Sequence, residues 1–315
     1  MKAMNLEARE REARRDANNR EELVERIART MVADGTAEPI PGLRLTRSSR
    51  VEEPKYGVSQ PTFCITAQGT KEIFLGGHRY EYDPHTFLLA TAELPITGRV
   101  LNATPEQPFL GLRIVLDPTV VASVMVEMNA LPPRGEVPAR ALEVSPLDSS
   151  LLDATVRLVR LLDSPDDAQL LFPLLSREIV FRLLGSEQGH RLRQMTMLGG
   201  HTHRISQVVN TLCREFARPL HVEELARGAG MSVSSFHHHF KAVTALSPLQ
   251  FQKQMRLHEA RRLLLAESLD ATTAGSRVGY DDTAHFNRDY KRFFGEPPMR
   301  DVERLRGAAG VGSEA

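Results

Sequence analysis

The feature that most constrains this chain is a repeated one. Near residue 221, and again near residue 271, a short helical run meets glycine, then a polar capping residue, then a second helical run. In the first unit His221–Arg227 leads into Gly228-Ala229-Gly230, and Ser232 precedes a helix expected over Val233–Val243. Gly230 can take the positive φ that such a turn needs, and Ser232 can cap the free amides of the helix that follows. In the second unit Ala271–Val278 is followed by Gly279-Tyr280, by Asp281 or Asp282 as the cap, and by a helix over Thr283–Phe294. Both have the spacing of a helix-turn-helix, and two such units within about 50 residues are far more specific than one. Leu225, Ala226, Val233, Phe236 and Phe240 are expected to bind the first pair of helices together, and Phe286, Tyr290 and Phe293 to face inward in the second.

Between the units Pro248–Glu267 carries a strong helical pattern. At 1.5 Å per residue that helix is roughly 30 Å long. B-DNA repeats every ~34 Å, so a rod of this length can set two second helices in successive major grooves on one face of a duplex. The charge balance agrees only weakly. Lys plus Arg equals Asp plus Glu at 40 each, yet residues 200–306 hold 16 basic against 12 acidic residues and eight of the 11 histidines. A modest basic excess in one segment is a minor nucleic-acid signal.

The rest of the chain reads differently. Residues 5–32 form a helix with one thin apolar stripe, Leu23, Ile27 and Met31, whose first half is expected to fray. Between Pro39 and Pro118 the pattern changes to short β-favouring runs: Thr62–Ala67, Glu72–Leu75, His78–Tyr82, Phe87–Ala90, Ile96–Leu101 and Phe109–Leu116. Many short strands of this kind suggest a barrel or a sandwich. In the first run Phe63, Ile65 and Ala67 share one face and Thr62, Cys64 and Thr66 the other. From Leu147 the helical period returns in two runs, which end at Leu162 and Leu184. Such a hairpin leaves an apolar stripe that either covers the β unit or pairs with another subunit; dimerisation is the favoured reading. The fold expected is α+β: an N-terminal helical arm (1–38), a β-barrel domain with a helical hairpin (39–198), a linker (199–203), an all-α domain with two helix-turn-helix units (204–306) and a flexible tail (307–315).

Several classes are disfavoured. No uncharged stretch reaches the ~18 apolar residues of a membrane span, and the first residues run straight into mixed charge without the apolar core of a secretory signal. A cytoplasmic protein without a membrane partner is expected. Cys64 and Cys213 form no paired motif, so neither a disulfide framework nor a structural zinc site is expected. His237-His238-His239 are consecutive, and residues ~100° apart on a helix make a poor metal site. The β region offers His78 and His85 without a His-x-His pair. No metal, cofactor or catalytic residue is assigned.

Met231-Ser232-Val233-Ser234-Ser235-Phe236-His237-His238-His239-Phe240-Lys241, Leu246-Ser247-Pro248-Leu249-Gln250-Phe251, Val278-Gly279-Tyr280-Asp281-Asp282 and the stretch from Phe286 to Pro298 resemble the DNA-binding domain of AraC-type transcription regulators, over roughly Arg204 to Arg304. Pro61-x-Phe63, Gly69-x-Lys71, Leu75-Gly76-Gly77, Leu94-Pro95-Ile96 and Pro108–Leu112 carry a weaker likeness to the cupin-like N-terminal domain of one subgroup. The resemblance implies base contacts from Ser234, His237 and His238 in the first recognition helix and from Thr283, His285, Asn287 and Arg288 in the second. Ser232, Lys241, Lys291 and Arg292 are assigned to phosphates, which position a protein without specifying sequence. It implies double-stranded DNA as the partner, with RNA polymerase, a small-molecule effector and a second copy of the chain as further candidates.

Cys64, Thr91, Glu93 and Arg113 are candidates to line an effector cavity, although a small buried hydrophobe is the better reading of Cys64, and satisfied strand or loop polar groups explain the other three equally well. Two alternatives stand beside a ligand-responsive regulator: a cupin-type metalloenzyme fused to a DNA-binding module, and a regulator whose barrel only oligomerises.

Overall fold

The computed structural model of the chain describes residues 2–51, 53–129, 140–196, 201–267 and 269–310, and the chain divides into two units, Met1–Ser206 with Ala242–Ala245 and Gln207–Lys241 with Leu246–Ala315. The first begins with helix α1 (Lys2–Thr30) and continues through β1 (Gly35–Ile40), β2 (Leu43–Ser48), β3 (Lys55–Ser59), β4 (Thr62–Gln68), β5 (Thr70–Leu75), β6 (His78–Tyr82), β7 (Thr86–Ala90), β8 (Leu94–Asn102) and β9 (Phe109–Val115). Helix α2 (Pro118–Glu127), β10 (Leu142–Pro146), α3 (Ser149–Arg160), α4 (Pro165–Gly185) and α5 (Gly189–Thr196) complete it. All strand pairs are antiparallel, in a six-stranded sheet of order β1-β2-β9-β4-β7-β10 and a four-stranded sheet of order β3-β8-β5-β6. The domain is α+β, a cupin-like β unit with a helical hairpin.

Alternation along the strands decides what each face does. Phe63, Ile65 and Ala67 of β4, with Leu43, Leu45, Leu112 and Ile114 beside them, join one apolar core with Leu23 and Ile27 of α1, Leu151, Leu152, Val156 and Val159 of α3, and Ile179 and Leu183 of α4. The helices therefore cover one face of the six-stranded sheet, while Cys64 and its neighbours on the opposite face look toward the four-stranded sheet. At the β4–β5 turn Gly69 has φ +84°, and a Cβ there would lie 2.7 Å from the Asn102 carbonyl oxygen, so only glycine fits without displacement.

Two expectations need correction. The first half of α1 is continuous helix, and Arg15 and Asp16 in it bond Asp153 and Ser149 of α3. The Glu22 carboxylate, gripped by Arg160 and Arg26, is held at a pKa of about 2. Strands β1, β2, β3 and β10 and helices α2 and α5 fall outside the sequence-expected elements. The apolar stripe of α4 is only partly covered: Ile179 and Leu183 are buried, whereas Leu170, Leu171, Leu174 and Phe181 are exposed.

The second unit is helical. After α6 (His201–Arg214), which carries His201 and His203 of the expected linker, come α7 (Val222–Gly228), α8 (Val233–Thr244), α9 (Pro248–Ala266), α10 (Ala271–Arg277), α11 (Thr283–Phe294) and α12 (Pro298–Gly310). Residues 199 and 200 of that linker and 311–315 of the expected tail lie outside the described residues, and 307–310 are helical. Helix α9 starts on a capping box in which the Ser247 hydroxyl accepts from the Gln250 N–H, the Gln250 side chain returns to the Ser247 N–H, and Pro248 occupies the first turn. Among the described residues no helix is long and apolar enough to cross a membrane.

Candidate nucleic-acid interface

Local chemistry sets both recognition helices. In the first unit Gly230 has φ +64°, and the Ser232 hydroxyl accepts from the Ser235 N–H to open α8. In the second Gly279 has φ +90°, and the Asp282 carboxylate accepts from Ala284 and His285 N–H to open α11. Asp282, rather than Asp281, is the cap. Ala226, Phe236 and Phe240 are fully buried, and Phe240 meets Phe251 of α9 edge-on at 5.5 Å. Val233, expected to bind α7 to α8, is exposed instead, because as the first residue of α8 it precedes the inward-facing Phe236 and Phe240. Further along α9, Leu257, Ala260, Leu263 and Leu264 pack with Ala274, Val278, Phe286 and Tyr290. One helix thus carries both units, α8 on its first turns and α10 and α11 on its later ones. Its 19 residues span about 28 Å.

These packings leave polar faces outward. On α8 Ser234, His237, His238 and Lys241 are exposed, as is Ser232 before it, with Ser235 and His239 half-buried. On α11 His285, Arg288, Lys291 and Arg292 are exposed, while Thr283 and Asn287 are half-buried. The structure brings Asn287, Arg288, Lys291 and Arg292 together along a groove of about 720 Å³, whose wall is completed by the first turn of α12. That turn adds Met299 and Arg300, which the sequence reading missed; Pro297-Pro298, a helix-start signal directly after α11, is the clue that places them there. No carboxylate lines the groove, and among the described residues Arg288, Lys291, Arg292 and Arg300 have no ion-pair partner. Four uncompensated cations in one concave surface attract a polyanion and release its counterions on binding.

His285 is held differently. Its Nε2 lies 3.2 Å from the Asp289 carboxylate one turn on, and that carboxylate also meets Lys253 Nζ of α9 at 2.9 Å. Asp289 is buried, so it ties the outward imidazole to the central helix.

In the first unit the expected pocket residues separate into two groups. Cys64 and Arg113 face each other across the β4–β9 ladder and line a cavity of about 60 Å³ between the sheets, with Lys71 and Tyr82 opposite. Thr91 and Glu93 do not line it: the Thr91 N–H and hydroxyl both reach the Ala141 carbonyl, and Glu93 sits half-buried between β7 and β8. Burial pushes the Cys64 thiol up, so it is a neutral group in this cavity. No cluster of three or more His, Cys, Asp or Glu side chains is placed to hold a metal among the described residues.

Comparisons with known proteins fall on both units. Residues 39–191 match the family model described as the AraC-type transcriptional regulator N-terminus, and residues 225–304 match that of a helix-turn-helix domain. The transcriptional regulator ArgR of Pseudomonas aeruginosa is 26% identical over 152 residues, 48% of this chain and 46% of that protein. The transcriptional activator RhaS of Salmonella schwarzengrund is 28% identical over 165 residues, 51% of this chain and 58% of that protein. The chain thus matches these relatives over only about half of their length. The crystal structure of ToxT from Vibrio cholerae O395 aligns with 85% of this chain and all of its own at a TM-score of 0.51 and 8% identity, a likeness of fold. ToxT has also been solved with an unsaturated fatty acid bound, and that structure aligns with 82% of this chain and 94% of its own at a TM-score of 0.50 and 8% identity.

Proposed function

The chain belongs to the AraC-type transcription regulators, and from that premise we propose that it binds specific promoter DNA through α8 and α11 and regulates transcription in response to a small molecule taken up by its N-terminal domain. The observation that carries this reading is the pair of capped helices on one rod. Ser234, His237 and His238 face outward at one station of α9, and His285 and Arg288 at the next, with a carboxylate-free basic groove beside the second. Ser234, His237, His238, Thr283, His285, Asn287 and Arg288 read bases; Ser232, Lys241, Lys291 and Arg292 hold phosphates, and Arg300 joins them. Its site of action is the cytoplasm, where promoter DNA and RNA polymerase are.

The mechanism is a population shift. An effector that favours one arrangement of the N-terminal domain changes how often the two DNA modules engage a promoter, and through that the recruitment of polymerase. No catalytic step is required. A second copy of the chain is the partner for α4, because Leu170, Leu174 and Phe181 recur on one side of that helix at helical spacing and are all exposed.

The test is selection of bound fragments from a library of random duplexes, followed by titration of the enriched sequence against a scrambled one. A sequence-specific regulator binds the enriched site at least ~10³-fold more tightly at physiological salt. Equal affinity for both would overturn the reading.

A further inference from the structure

We infer that the barrel cavity is a site for a compact carboxylate, held by Arg113. This rests on the proposal that the N-terminal domain takes an effector, and it names the effector's chemistry. Arg113 projects from β9 into the space between the sheets, where Cys64, Tyr82, Ile73 and Phe109 also line the cavity. Among the described residues its guanidinium makes no hydrogen bond or ion pair. Glu38 feels its charge, but that carboxylate is already committed to Arg44 at 2.8 Å and to the Gly42 N–H at 2.9 Å.

The other charged group lining the cavity is also a cation, Lys71, from the opposite sheet, placed 5.7 Å over the Phe109 ring. No carboxylate lines the space. Tyr82, raised by burial, stays a neutral phenol, as Cys64 stays a thiol. A partly desolvated Arg without an anion is costly, and a planar carboxylate matches its two parallel N–H donors. Volume sets the size. About 60 Å³ is the liquid volume of roughly two waters, which suits only the shortest carboxylic acids and excludes a long acyl chain. Ile73 and Leu88 provide the apolar wall for its few carbons.

The experiment uses the full chain and thermal unfolding with two probe sets at equal millimolar concentration: acetate, pyruvate, lactate and butyrate, and the corresponding neutral amides. At a hundredfold excess over Kd, a bound carboxylate should raise the Tm by on the order of 5 °C, and its amide by far less. Arg113→Gln should abolish the rise, and Arg113→Lys should restore part of it, which separates loss of charge from loss of folding. Amides as effective as acids, or an Arg113→Gln protein that responds like the wild type, would overturn the carboxylate assignment while leaving an effector-binding barrel in place. A flat response to both sets and to a wider panel of neutral metabolites would overturn that reading as well.

Discussion

Arg256, midway along α9, donates from Nη1 to the Gly279 carbonyl at 2.7 Å, and with its other nitrogens to the carbonyls of Phe216, Ala217 and Arg218. The same guanidinium sits over the Tyr280 ring at 5.8 Å. The central rod therefore does more than separate the two helix-turn-helix units: it fastens the turn of the second to the segment that follows α6. Gly279 is locked into the same joint, since a Cβ there would lie 2.1 Å from the Ala217 carbonyl oxygen.

Arg256→Met leaves the Gly279 carbonyl without this donor, and should cost about 2–3 kcal/mol of stability. Gly279→Ala must both hold φ +90° and displace the Ala217 backbone, so it should cost about 3 kcal/mol or more. Gly295→Ala is the control: φ is +88° there, but the space around it is open, so only the left-handed penalty of roughly 1–2 kcal/mol applies. Urea unfolding of the three variants checks the order, and equal losses for Gly279→Ala and Gly295→Ala would remove the joint from consideration.

Arg288 and Arg300 border the same groove but should fail in different ways. Arg288→Ala is expected to weaken the enriched site by ~1–3 kcal/mol and relax one base position. Arg300→Ala should weaken all sequences alike and flatten the salt dependence by about one phosphate's worth. Titrations at several salt concentrations on specific and scrambled duplexes distinguish these, and identical profiles for both variants would contradict the division into base and phosphate contacts.

His258 gives the second unit an acid limit. Its ring stands edge-on against Phe293 and Phe294 at 5.2 and 6.0 Å, and burial there, with Arg261 nearby, pushes its pKa down to about 3. Between the ordinary value of about 6.5 and that depressed one, the unfolded chain binds one more proton than the folded chain. Stability from this group is thus complete above pH 6.5 and falls as pH drops, by up to about 1.4 kcal/mol per unit. His258→Gln should reduce that slope in denaturation curves between pH 7 and 5; an unchanged slope would assign the acid sensitivity to other groups.

The exposed side of α4 should behave as an interface. Leu174→Glu places a charge among Leu170, Leu171 and Phe181, and should weaken self-association by about tenfold or more while the monomer stays folded, because Leu174 lies outside the buried core. Sedimentation velocity measures this; a wild-type chain that stays monomeric at tens of micromolar would rule out the dimer.

The two helix-turn-helix units and the rod between them were legible in the sequence, whereas α6, α12 and parts of the N-terminal unit were not. Helices α8, α9, α10 and α11 fall within one residue of their expected bounds at either end because caps and glycine turns punctuate them: Gly230 and Ser232, Ser247-Pro248, Asp270, and Gly279 and Asp282. Strand β1 shows almost no alternation, with five of its six residues exposed, and β2 hides Leu43 and Leu45 among arginines that pair at the surface. Helix α2 carries Val120, Val121, Val124 and Val126, whose β-branched side chains mask a helix that starts on the Asp117-Pro118 cap. The same limit applied to the candidate sites. Cys64 and Arg113 meet only through the β4–β9 register, and Arg300 joins α11 only through the turn into α12, neither of which local spacing encodes.

Hydroxyl-radical footprinting of the full chain on its selected site tests the central claim most directly. Two recognition helices fixed along one ~28 Å rod require two protected patches on the same face of the duplex, about 10 base pairs apart, and both should disappear together when five base pairs are inserted between them. A single protected groove, or two patches indifferent to the insertion, would contradict it.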